Sequence, residues 1–151
     1  MSFIYPNLEF ILPVLEKLDA SQKPLWGNMS AQRMVEHLTD VVKVATGENP
    51  QKLFIEEEKI PRMIDFLNSD KPMAQNIQVS FAKGKESLRN EEIELAVDEF
   101  VETWLKFEEI YETNPSLKET HPYYGPLDFN QWKRLHSKHL THHFQQFGLI
   151  F

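Results

Sequence analysis

The sequence contains no cysteine and few glycines, and each scarcity excludes a class of structure. Without cysteine among its 151 residues, the chain has no disulfide, no thiolate metal ligand and no cysteine nucleophile. Its 5 glycines are too few for the many tight turns of a β-sandwich or a β-barrel. Apolar residues also recur at helical spacing rather than in strict alternation, so the sequence favours a helical fold.

Long apolar runs and positive charge are scarce as well. No apolar stretch approaches the ~20 residues that cross a bilayer, and no basic segment followed by an apolar run resembles a signal peptide. We therefore expect a cytoplasmic protein without a membrane partner. The net charge of −7 repels phosphate backbones, so we also expect no nucleic-acid partner.

The residues that are plentiful indicate one well-packed domain. Apolar residues make up 41% of the chain, and they include 11 Phe, 4 Tyr and 3 Trp. This content is enough for a hydrophobic core, and the length suits a single domain over residues 1–151.

Apolar periodicity and capping residues predict five helical segments. Ser30 and Gly47 fit the start and the end of one helix, Asn90 fits the start of another, and Asp128 and Gln131 have capping-box spacing. The predicted segments are about 8–18, 31–46, 61–67, 91–111 and 128–147.

Two connections between these helices stand out. Residues 68–89 form a long irregular connection in which Ile77, Val79 and Phe81 alternate briefly, which predicts a short extended piece. Residues 121–126 form a rigid aromatic loop. Because long irregular segments often cover functional sites, we expect both connections to border a pocket at one end of the fold.

The histidines are the candidate functional residues, and five of the six lie between His121 and His143. At ~100° per residue, His139 and His143 fall near the centre of the apolar stripe that contains Trp132. Two imidazoles four residues apart on one helix face can bind one metal ion. His37 lies at the inner edge of the apolar stripe of an earlier helix. The three residues predict a metal site.

Alternatives remain open for each histidine. A single histidine on an apolar face usually packs in the core with a hydrogen bond, and this interpretation applies to His37 alone. His136 also points inward and is a rival ligand, whereas His121 before a proline fits a structural role and His142 fits a solvated or outer position. The pattern does not assign a catalytic residue.

Three stretches together resemble the DinB/YfiT-like superfamily over roughly the whole chain. They are His139-Leu140-Thr141-His142-His143 with Gln146, Trp26-Gly27-Asn28-Met29-Ser30 with His37, and the segment 121–127 with Trp132. The last of these resembles one branch of the superfamily, a domain of unknown function. The resemblance implies an all-α, four-helix bundle of up-down-down-up topology, often dimeric. It also implies a divalent metal ion held by three histidines, which are His37, His139 and His143 here.

The resemblance further implies a metal-dependent enzyme, since relatives include transferases and isomerases that use low-molecular-weight thiols. We expect a small-molecule substrate, a transferase or hydrolase reaction, and a thiol as a candidate co-substrate. Zinc and nickel both accept imidazole ligands, and both fit three neutral histidines. The alternative is a non-catalytic, metal-stabilised helical module for binding or stress response, for which a closed site with four protein ligands is expected.

Overall fold

The computed structural model describes residues 2–75 and 87–151, and in these ranges the protein is mostly helical. The described part has five α-helices, a 3₁₀ turn at Glu57–Lys59 and one antiparallel hairpin. The helices are α1 (Leu8–Leu15), α2 (Ala31–Thr46), α3 (Ile60–Asn68), α4 (Ile93–Thr113) and α5 (Phe129–Gln146), and the strands are β1 (Glu119–His121) and β2 (Gly125–Leu127). Within these ranges, every helix is too short or too polar to cross a membrane.

Helices α2 and α5 begin where their capping residues predict. The Ser30 side chain accepts a hydrogen bond from the Arg33 N–H, and Gly47 closes α2 with a φ of 85°, a conformation that favours glycine. At the start of α5, Asp128 and Gln131 form the predicted capping box. Both helices therefore present their histidines at the register that the sequence predicts.

Two predicted boundaries are wrong. Helix α1 ends at Leu15 rather than at residue 18, two residues after Pro13, whose ring disfavours a continuing helix. Helix α4 begins at Ile93 rather than at residue 91, because Asn90 does not cap it. The Asn90 side chain instead donates hydrogen bonds to Glu36 and Glu99.

The aromatic loop is also more regular than predicted. Residues 119–127 form the hairpin, in which His121 pairs with Gly125 and Glu119 pairs with Leu127. Strands of three residues are too short to leave a period-two pattern in the sequence, which is why the prediction missed them. The extended piece predicted around Ile77, Val79 and Phe81 lies outside the described residues.

Helices α2 and α4 pack along each other, and α5 contacts both α2 and α3. The aromatic side chains of α4 are buried and form a continuous core with α5. Among the described residues, the fully buried aromatic side chains are Phe100, Trp104, Phe107, Trp132, Phe144 and Phe147. This arrangement places the inner face of α5 opposite α2, and it brings together the histidines of the two helices.

Candidate metal centre

His37 of α2 and His139 and His143 of α5 converge on one point, and we call them the histidine cluster. The Nε2 atom of His139 lies 2.9 Å from Nε2 of His37 and 3.0 Å from Nε2 of His143. One ligand nitrogen from each residue lies within 4.8 Å of the other two. His37 and His143 are buried, at 5% and 7% exposed, and His139 between them is half-buried. The structure thus brings the three predicted ligands together, and the cluster could hold a metal ion.

A glutamine sets the proton position on His143. The Gln146 Nε2 donates a hydrogen bond to the backbone carbonyl of Trp26 at 3.0 Å, which leaves its Oε1 facing His143. That oxygen can only accept, so the Nδ1–H of His143 donates to it at 2.7 Å. A neutral imidazole carries one proton, and His143 therefore presents an unprotonated Nε2 to the cluster.

The ring nitrogens of the histidine cluster cannot all be paired by hydrogen bonds within the cluster. His139 Nε2 has either one proton or one lone pair, so it forms a hydrogen bond with only one of its two imidazole neighbours. The other contact, also at about 3 Å, is then left without a linear hydrogen bond of its own. Nδ1 of His37 is also buried without a hydrogen-bond partner among the described residues. A cation between the Nε2 atoms would remove the unfavourable contact.

Burial keeps the cluster in its neutral form. Removal from water, together with the nearby Arg33 and His142, lowers the pKa of His37 to about 3. The pKa values of His139 and His143 also lie well below 6.5, first because of burial and then because of the neighbouring imidazoles. All three residues are therefore neutral at pH 7, which is the protonation state that binds metal.

The histidine cluster opens onto a cavity of about 760 Å³. Ser69, Lys71, Met73 and Ala74 of the first long connection border it, as do His121, Tyr123 and Tyr124 of the hairpin. The prediction that these two segments border a pocket is confirmed for the described residues. The volume lies within the range of cavities that enclose a small organic molecule.

The remaining histidines take different positions. His136 is 2% exposed and lies away from the cluster, with its ring between Trp104, Phe107 and Trp132. His121 lines the cavity, and its Nδ1 accepts a hydrogen bond from the Tyr123 N–H. His142 also lines the cavity and contacts the Trp26 ring. Among the described residues, neither His136 nor His121 belongs to the group that could hold a metal.

Gln146 is the site residue that the sequence analysis did not assign. A signal for it exists, because residues three apart on a helix are neighbours and Gln146 follows His143 by three positions. The partner that orients Gln146 is the backbone carbonyl of Trp26, and a backbone atom leaves no signature in the sequence.

The fold and the site define a mostly helical protein with a buried histidine cluster that could hold a metal ion beside an apolar cavity. The family described as "Protein of unknown function (DUF1569)" matches residues 1–148, and the chain belongs to this family. Searches of curated proteins and of solved structures found no match.

Proposed function

We propose that this chain is a divalent-metal-dependent enzyme in which His37, His139 and His143 hold one zinc or nickel ion. The observation that carries the proposal is the position of His139 Nε2, 2.9 and 3.0 Å from two other imidazole nitrogens that it cannot both satisfy. Metal–imidazole bonds of about 2.0–2.1 Å place neighbouring ligand nitrogens roughly 2.9–3.4 Å apart, which matches these separations.

The surroundings of the cluster favour an enzyme over a metal-stabilised module. A structural zinc site is usually closed by four protein ligands, whereas three ligands leave a position for water or substrate. The described residues supply three candidate ligands, and His136, the rival fourth ligand, packs in the aromatic core instead. The cavity beside the cluster supplies room for a substrate.

The chain's own residues would prepare the site for this chemistry. Gln146 holds the proton of His143 on Nδ1, and burial keeps the three imidazoles neutral. A divalent ion held there would lower the pKa of a bound thiol or water, which then acts as a nucleophile. The cavity walls are mostly apolar, so they would place few competing polar groups around that nucleophile.

On the basis of the resemblance to the DinB/YfiT-like superfamily, we also propose a fold topology and a type of reaction. The helices would form its up-down-down-up four-helix bundle within a single domain, and two chains would form a homodimer in the cytoplasm. The reaction would be a group transfer with a low-molecular-weight thiol as co-substrate, or a hydrolysis in which water takes that place.

The test combines metal analysis with an activity screen. Purified protein reconstituted with zinc or nickel is assayed against a panel of electrophiles, with several thiols or water as nucleophile. We expect turnover in the metal-loaded protein, its loss in His139→Ala, and its retention in Gln145→Ala. Gln145 is a suitable control because it lies on α5 with His139 and His143 but belongs neither to the cavity lining nor to the candidate ligand group. Metal binding without turnover across the panel would favour the non-catalytic module.

A further inference from the structure

Two cationic side chains at the cavity lack a partner. Arg62 of α3 and Lys71 of the following connection line the cavity and are exposed at its outer edge. Neither side chain forms a hydrogen bond or an ion pair with a described residue. Both side chains are therefore available to an anionic ligand at the cavity edge.

The electrostatic balance of the cavity is opposite to that of the whole protein. The chain carries a net charge of −7, yet the described residues that line the cavity include Arg62 and Lys71 against a single carboxylate, Asp65. The histidine cluster adds no negative charge, because an imidazole side chain is either neutral or positively charged. An anion that approaches this acidic protein would thus find a local attraction at the cavity.

Between the cations and the cluster, the cavity is apolar. Its walls include the half-buried side chains of Met29, Met63, Phe66 and Met73, which pack against the hydrophobic core. Thioether side chains are flexible and polarisable, so they adapt to apolar ligands of different shape. Such walls offer few hydrogen bonds and would favour a hydrocarbon or aromatic segment.

We propose that the cavity binds an amphipathic anion. The anionic group of the ligand lies between Arg62 and Lys71, and its apolar body fills the space along Met29, Met63 and Phe66 toward the histidine cluster. This inference rests on the proposed function, because it names the ligand class of the same cavity. The recognition of the anion depends on two side chains that do not belong to the candidate metal centre.

The experiment compares octanoate with octanamide, which has nearly the same size but no charge, by calorimetric titration of zinc-loaded protein. We expect octanoate to bind about tenfold more tightly, a preference that two partly exposed cations can supply. The preference should weaken as salt is added. It should disappear in Arg62→Gln/Lys71→Gln, and it should persist in Lys106→Gln/Lys118→Gln, which removes the same charge at exposed positions that do not line the cavity.

Three results would overturn the inference: equal affinity for the two probes, no binding of either probe, or an octanoate preference that survives in Arg62→Gln/Lys71→Gln. Its failure is distinguishable from that of the proposed function, because the metal content of each sample is measured first. A wild-type protein that takes up no metal contradicts the proposed function. A preference for octanoate that depends on Arg62 and Lys71 in that same sample would still support the ligand class.

Discussion

Glu36 and His37 are neighbouring buried polar residues on α2, and they differ in how completely their side chains are hydrogen-bonded. Glu36 is fully buried, and its two carboxylate oxygens accept hydrogen bonds from the backbone N–H groups of Arg89 and Asn90. The side chains of Asn90 and Gln32 donate to it as well. The next residue, His37, belongs to a cluster whose contacts cannot all be hydrogen bonds.

The difference separates a structural group from a candidate functional one. Burial acts to raise the pKa of Glu36, but the hydrogen bonds from Arg89 and Asn90 outweigh it and the pKa is lowered. The carboxylate is thus satisfied inside the fold and ties the segment before α4 to α2. The histidine cluster has no comparable set of donors and acceptors among the described residues, and this difference is the reason we propose a metal ion as its partner.

The largest expected effect is on the free energy of unfolding of the metal-free protein when Glu36 or His37 is replaced. Glu36→Leu should lower the free energy of unfolding by roughly 3–5 kcal/mol, because buried donors of Arg89 and Asn90 lose their acceptor. His37→Leu should stay within about 1 kcal/mol of the wild type, since the lost group had no complete set of partners. Urea unfolding in the presence of a chelator measures both values. Equal losses would contradict the contrast between the two groups.

Metal addition should make the free energy of unfolding depend on His37. With free zinc at about a hundred times its dissociation constant, the folded wild type should gain about 2.7 kcal/mol. The gain should vanish in His37→Leu and should remain in Glu36→Gln, which keeps the α2 side chain nearly the same size. Thermal unfolding with and without zinc gives the comparison. A similar zinc effect in His37→Leu would show that the metal binds elsewhere.

A smaller effect is expected at Gln146, which acts on the cluster through His143. Gln146→Met removes the acceptor for the Nδ1–H of His143, so zinc affinity should fall about 10–100-fold. Gln146→Glu should restore the acceptor and most of the affinity. Gln145→Met is the matched control, because the Gln145 side chain donates to the Phe151 carbonyl instead. Competition with a zinc chelator reports the affinities, and an unchanged value in Gln146→Met would refute the positioning role.

The smallest effect concerns His136, a buried histidine outside the cluster. Burial, and then the nearby His121, lowers its pKa from 6.5 to about 3. The unfolded chain therefore takes up a proton first as the pH falls below about 6.5, and stability decreases from there toward pH 3. His136→Leu should make this decrease shallower by about 1.4 kcal/mol per pH unit. Urea unfolding at several pH values measures the slope, and parallel curves for wild type and variant would argue against a neutral buried His136.

The parts of the fold that depend on local signals could be predicted from the sequence. Helix α2 begins and ends as predicted because Ser30 and Gly47 act within one turn of the helix end. Helix α4 begins later than predicted because the Asn90 side chain, the expected cap, donates a hydrogen bond to Glu36, which lies 54 positions earlier. Local patterns contain no information about such a distant partner.

In the candidate site, too, features set by local sequence could be predicted, and features set by distant contacts could not. The ~100° helical step predicts the directions of His139 and His143, because a single regular helix carries both. The same arithmetic made His136 a rival ligand, since it could not show that Trp104 and Phe107 of α4 surround that ring. The part that His121 and His142 play in the cavity wall depends likewise on tertiary packing.

The most direct test of the central claim is elemental analysis of the purified protein after dialysis, before and after reconstitution with zinc or nickel. The account predicts close to one divalent ion per chain in the wild type and in His142→Ala, and the loss of most of it in His143→Ala. A wild-type protein that retains no metal after reconstitution would contradict the account.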